Sequence, residues 1–98
     1  MKIISFKQLR EFYEKDPKSE PAIKEWYKKT EKANWDNFSD IKKTFNSTDS
    51  VGNMRYVFNI KGNEYRIVAK IFFTIKSIYI RFVGTHKEYD RIKDISKV

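Results

Sequence analysis

The sequence predicts an α+β fold, with helices gathered in its first half and antiparallel strands in its second. Two observations carry this expectation. Apolar residues recur at helical intervals up to Phe45, then alternate one by one from Met54 onward. The dipeptide Gly62-Asn63 lies between two alternating runs, as the loop of a tight β-hairpin does. A chain of 98 residues has room for one small core, so residues 1–98 are read as a single domain.

Lys2-Ile3-Ile4 suits a short strand. Ser5, with Gln8 three residues on, has the pattern of a helix-capping box. Phe6, Leu9, Phe12 and Tyr13 follow at helical spacing, and Asp16-Pro17 ends the run. A second helix is expected to begin near Ser19-Glu20-Pro21, where proline is tolerated in the first turn. It carries Ile23, Trp26, Tyr27 and Thr30 on one face, and Trp26 and Tyr27 are read as core packing rather than a ligand platform. A break of roughly four residues makes these two helices a hairpin. Trp35, Phe38, Ile41 and Phe45 fit one side of a weaker, shorter helix, and residues 46–50 are expected to form a polar loop.

From Met54 to Ile60 the even positions are apolar, and the return strand from Glu64 to Thr74 offers Tyr65, Ile67, Ala69, Ile71 and Phe73. With Gly62-Asn63 as the loop, Ile60 meets Tyr65, Phe58 meets Ile67, Tyr56 meets Ala69 and Met54 meets Ile71. All four pairs share one face, and a slip of one residue would destroy the agreement. A third strand, Ser77 to Thr85, is expected to turn Ile78, Ile80 and Phe82 inward. Thr85-His86-Lys87-Glu88 is a second capping-box pattern, so a short helix should start where that strand stops.

Composition removes several function classes. There is no Cys, which excludes disulfides, thiolate metal sites and Cys nucleophiles, and a single His excludes a His-rich metal centre. The most apolar stretch, Tyr65 to Val83, is broken by Arg66, Lys70, Lys76 and Arg81, so no membrane span is expected. The N-terminal MKIISFKQLREF lacks an uncharged core long enough for a signal peptide. A soluble, cytoplasmic domain is the expectation, without contact to membranes.

The net charge is +8, from 21 basic and 13 acidic residues, and it is unevenly spread. Up to Asp49 there are 11 bases and 9 acids; beyond it there are 10 bases and 4 acids. The excess falls on the sheet face opposite the apolar one, where Arg55, Asn59, Lys61, Arg66, Lys70, Tyr79, Arg81 and Thr85 are expected. The simplest register sets Arg55, Lys70 and Arg81 in one row across three strands, and Asn59, Arg66 and Thr85 in another. Like charges facing one another across strands are destabilising unless an anion offsets them. A polyanion such as RNA supplies that anion; an acidic protein partner is the alternative.

His86 falls in the first turn of the final helix, beside the basic face, with Tyr89 and Asp90 three and four residues on. A helix start presents free N–H groups that suit a phosphate, although a lone His there is also an ordinary surface or capping residue. Carboxylates are scarce in this half, which disfavours a two-metal nuclease. RNA carries its own nucleophile in the 2′-hydroxyl. Arg and Lys to hold the phosphate, with His, Lys or Tyr to move protons, therefore permit metal-free RNA cleavage without demanding it.

The segments MKIIS, LREFYEK, EWYKK, KANW, SDIK, GNMRYVFNIKGNEYRIVAKI and IRFVGTHKEYDRI resemble the HigB branch of the RelE/ParE toxin superfamily over nearly the whole chain. The resemblance implies a RelE-like fold: two N-terminal helices on a twisted antiparallel sheet of three to four strands, then a short C-terminal helix. It implies a type II toxin, a ribosome-dependent mRNA endoribonuclease that needs no cofactor and acts on messages in the 70S ribosome. It further implies a HigA-type helix-turn-helix antitoxin, with operator DNA bound only through the antitoxin complex. Arg66 matches the arginine such toxins aim at the scissile phosphate, and Lys61 matches a basic residue at the end of the preceding strand; with His86 and Tyr89 they are the expected catalytic residues. His86 falls where RelE toxins carry an arginine, and Asn59 where they carry a second lysine. Proton transfer is thereby expected to shift towards His86, with Tyr89. Arg55, Asn59, Lys70, Arg81 and Lys87 are expected to contact RNA. A non-catalytic RNA- or ribosome-binding module and a ParE-like gyrase inhibitor remain as alternatives, since one fold serves several targets.

Overall fold

A computed structural model describes residues 1–98. Five strands form one sheet in the order β1-β5-β4-β3-β2: β1 (Lys2–Ile4), β2 (Asp49–Gly52), β3 (Arg55–Ile60), β4 (Tyr65–Phe72) and β5 (Ser77–Thr85). β1 runs parallel to β5, and all other pairs are antiparallel. The sheet is therefore mixed and five-stranded, where an antiparallel sheet of three to four strands was expected. Three helices and three strands separate β1 from β5 along the chain, so no tight turn forces the two to run antiparallel. Asp49 and Ser50, expected in a loop, pair with Val57 and Tyr56.

Three helices precede β2: α1 (Phe6–Lys15), α2 (Glu20–Lys32) and the shorter α3 (Phe38–Thr44). A 3-10 turn, Pro17–Ser19, joins α1 to α2. Leu9, Tyr13, Ile23, Trp26 and Ile41 face the sheet and are buried with Phe58, Ile60, Tyr65, Ile67, Ala69, Ile71, Ile78 and Ile80. Trp26, Phe45, Phe58 and Trp35 form an aromatic cluster, with Trp26 and Phe58 centroids 5.2 Å apart. Burying one such ring contributes about 2–3 kcal/mol, so Trp26 is core, as its helical spacing suggests.

The first hairpin has the anticipated register, with Ile60 opposite Tyr65, Phe58 opposite Ile67 and Tyr56 opposite Ala69. Its turn differs: Lys61 and Gly62, not Gly62 and Asn63, take positive φ (52° and 66°). Met54 is not a core residue. It sits at φ 63° in the turn before β3 and is 47% exposed. Ser5 bounds α1, but at φ 81° its side chain makes no capping bond.

One irregularity alters the outer face. The β4–β5 pairing slips between Val68 and Ala69, so Ala69 faces Ile80 while Val68 faces Phe82. Arg81 is the extra residue of a bulge, and side-chain alternation inverts after it. Phe82 consequently lies on the outer face, against Tyr89, rather than inward, and Val83 takes the inner position. The expected rows are corrected in the same way: Arg55–Lys70 continues to Tyr79, and Asn59–Arg66 continues to Gly84. β5 then leads into α4 (His86–Asp90).

Candidate active site

Arg66 projects from β4 between Asn59 and Gly84. Gly84 leaves room there for Phe82 and Glu88: a Cβ would lie 2.6 Å from Phe82 Cζ and 3.1 Å from Glu88 Oε1, so Phe82 would have to shift. Immediately beyond it, Thr85 closes a complete capping box, with Glu88 N–H donating to Thr85 Oγ1 and Thr85 N–H donating to Glu88 Oε1. The box fixes the start of α4 and thus the position of His86. The His86 N–H donates to the Glu64 carbonyl (2.9 Å), so this amide is committed to the fold rather than free for a phosphate.

The guanidinium of Arg66 lies 3.1 Å from His86 Nδ1, and His86 Nε2 lies 3.0 Å from Asp90 Oδ2. A guanidinium only donates, so Nδ1 accepts and the ring proton belongs on Nε2, donated to Asp90. Arg66 also donates to the main-chain oxygens of Asn63 and Tyr65, and stacks over the Tyr89 ring with its Cζ 5.7 Å from the centroid. Tyr89 is thus held between Arg66 and Phe82. Partial burial pushes its phenol up from the ordinary tyrosine range, and the Arg66 charge opposes the shift. His86 is half-exposed beside an open depression lined by Lys18, Glu64, Tyr65, Thr85 and Lys87. The imidazole is therefore open to solvent on that side.

Four of the anticipated residues, Arg66, His86, Tyr89 and, across β3, Asn59, are brought together. Asn59 also donates to the Ser47 carbonyl (3.0 Å), which ties the β3 edge to the preceding loop. Lys87 borders the same depression. Lys61 stands apart at the hairpin tip, 3.8 Å from Glu64, and lines a cleft against Ala22, Trp26 and Lys29 of α2. Lys70 continues the face away from Arg66. Arg55 and Arg81 both donate to the main-chain oxygen of Val98. One contact and one contributor escaped the sequence reading. The i, i+4 spacing puts Asp90 beside His86, yet nothing local says that Arg66 takes the other ring nitrogen. Lys18 comes from the α1–α2 junction, far away in sequence, and no signal pointed to it.

No three of the His, Asp and Glu side chains converge as metal ligands would. The chemistry within reach is that of a guanidinium, an imidazole oriented by a carboxylate, and a protonated phenol. The family model described as HigB toxin, the RelE-like toxic component of a toxin–antitoxin system, matches residues 19–92. The chain belongs to this family. It is similar to the mRNA interferase toxin HigB of Escherichia coli K12, 37% identical over 100 aligned residues covering 92% of this chain and 88% of that protein. The mRNA interferase HigB of Shigella flexneri matches to the same extent. That of Escherichia coli O6:H1 is 27% identical over 94% of this chain and 91% of its own length. Within this HigB-family chain, the Arg66–His86–Asp90 line and Tyr89 lie on β4 and α4, inside the matched region.

Proposed function

We propose that this HigB-family toxin is a ribosome-dependent mRNA endoribonuclease that works without a metal and inhibits translation. The observation that carries the reading is the hydrogen-bonded line from Arg66 through His86 to Asp90, on the basic face of the sheet. The scissile phosphate draws the Arg66 guanidinium away from Nδ1, since an anion is the stronger acceptor. Nδ1 is then free to take the proton of the 2′-hydroxyl. The 2′-oxygen attacks phosphorus, the bond to the 5′-oxygen breaks, and a 2′,3′-cyclic phosphate and a 5′-hydroxyl result. Arg66 offsets the charge that grows on the phosphoryl oxygens. Asp90 orients the ring and stabilises the imidazolium that forms, as a carboxylate does in a catalytic triad. Tyr89, kept protonated by its surroundings, donates to the leaving oxygen. Lys61, Lys87, Asn59 and Lys70 hold flanking phosphates.

The partner of such a toxin is an antitoxin; a HigA-type helix-turn-helix protein, carrying the pair to operator DNA, fits this reading. Primer extension on a message translated in the presence of the wild type, Arg66→Ala and His86→Ala chains tests it. Codon-phased cuts by the wild type and their loss in both variants are expected. Full cutting by both variants overturns the site. Salt-sensitive ribosome binding without cuts would indicate a binding module, and DNA damage without cuts a gyrase inhibitor.

A further inference from the structure

The outer face carries a second feature, away from Arg66 and His86. Three N–H groups of two arginines converge on one oxygen: Arg55 Nε and Nη2 lie 3.0 and 2.8 Å from the Val98 main-chain oxygen, and Arg81 Nε lies 3.1 Å from it. Asn53 Nδ2 holds the Ser96 carbonyl at 3.1 Å. Residues 94–98 are thus strapped against the sheet by its side chains. Arg81 also lines a shallow cleft whose other walls are Lys70, Phe72 and Tyr79. The Phe72 and Tyr79 rings meet edge to face at 5.6 Å, and Lys70 Nζ lies 5.1 Å from the Phe72 centroid. No acidic residue lines it.

We propose that this cleft and the Arg55–Arg81 cradle form one subsite for single-stranded RNA, with residues 94–98 occupying the cradle when RNA is absent. A base stacks on Tyr79, and a phosphate oxygen takes the position of the Val98 oxygen. Two arginines meeting on one oxygen have the donor set of a phosphate site, and aromatic rings flanked by cations are what single-stranded nucleic acids bind. Lys70 is four residues along β4 from Arg66, about 13 Å, so one RNA strand can span both places. An acidic protein would use the cations but leave the stacking surface without a purpose. The inference rests on the RNA-directed reading of the family, and deepens it by adding a point of contact beyond the cleaved bond.

A reversible lock tests it in the full chain, which has no cysteine of its own. A Cβ at Gly52 would lie 3.8 Å from Ser96 Cβ, the usual separation in a disulfide. The double variant Gly52→Cys/Ser96→Cys can therefore be compared with itself, oxidised and reduced, so that strain from a side chain at Gly52 (φ 90°) is common to both states. The probe is a fluorescent hexanucleotide with 2′-O-methyl sugars, which lacks the nucleophile and cannot be cut. The oxidised chain is expected to bind it about tenfold more weakly than the reduced chain. In the wild-type background Tyr79→Ala is expected to lose about tenfold, while Tyr79→Phe retains binding. Equal affinity in both redox states, with the disulfide confirmed by mass, or an unaffected Tyr79→Ala, overturns the proposal. So does displacement of the strap by polyglutamate but not by the hexanucleotide, which would point to an acidic protein. Message cleavage by the wild type, measured alongside, separates the two readings: cuts without a redox or Tyr79 effect dismiss only the subsite, whereas absence of cuts dismisses the nuclease.

Discussion

Arg66 and His86 are surface side chains whose removal leaves the core untouched, so their variants report chemistry rather than folding. His86→Ala is expected to lower the cleavage rate by about 10²–10⁴-fold, the usual contribution of a proton-transfer group, with an unchanged thermal unfolding curve. Arg66→Lys should not restore an Arg66→Ala loss, because an ammonium lacks the planar fork of donors that grips a phosphate through two N–H groups. Asp90→Asn should lower the rate and move the pH–rate profile with little change in substrate binding, since it alters the imidazole's partner and not the RNA contacts. Tyr65 makes a different residue-scale prediction. Its hydroxyl donates to Asp16 Oδ1 at 2.9 Å, and burial with that carboxylate pushes the phenol up to about 12. The unfolded chain loses this proton near pH 10 while the folded chain keeps it, so the stabilising contribution is whole below pH 10 and falls away from there to pH 12. Tyr65→Phe should flatten that alkaline decline in urea unfolding, and an unchanged slope would contradict the assignment. That Arg66 lies on the outer face was legible from its place on the polar side of β4, and the resemblance is what singled it out among the basic residues there. Its bond to His86 was not legible, because it joins residues twenty apart in sequence.

At the level of elements, the two capping-box patterns look alike in sequence and part company in the fold. Thr85 makes both reciprocal bonds, whereas Ser5, in the left-handed region, makes none with its side chain. Thr85→Ala should therefore cost about 1 kcal/mol of stability, and Ser5→Ala should cost much less on that account. Ser5→Gly should stabilise by about 0.5–1 kcal/mol, because glycine accepts positive φ without penalty; chemical denaturation compares all three. The strand alternation was read with the right period, and it fixed the β3–β4 register. It failed for Phe82 because a bulge leaves no local mark: one extra residue is inserted only when both strands are paired. Gly84→Ala tests the consequence, since the new methyl drives Phe82 from its place and with it Tyr89. A destabilisation of about 1–3 kcal/mol and a loss of cleavage are expected together.

Across the whole molecule, the helices and the inner sheet face form a nearly neutral scaffold, and the charge excess belongs to the outer face and its borders. Binding to RNA should then weaken steeply with salt, and each phosphate-contacting Lys or Arg replaced by Ala should lower the log–log slope by about 0.7. Trp26→Ala, at the centre of the aromatic cluster and 2% exposed, should cost about 3–5 kcal/mol, and its loss of activity should follow loss of fold. The five-stranded order was beyond reach of the pattern alone. β1 and β2 are three and four residues long, too short for alternation to declare a partner, and a parallel edge pairing depends on where α1 and α2 deliver the chain.

Periodicity, one Gly-Asn pair and the segregation of charge determined the α+β class, the central hairpin and the basic face, because each is a local property of the chain. Resemblance carried over near-contiguous motifs added the family. The tertiary structure alone decided which of those basic residues lie together. A bulge at Arg81 turned Phe82 towards Tyr89, a capping box set His86 against Arg66, and a returning segment laid Val98 between Arg55 and Arg81. Each of these is settled by the packing of several elements at once, not by the local sequence.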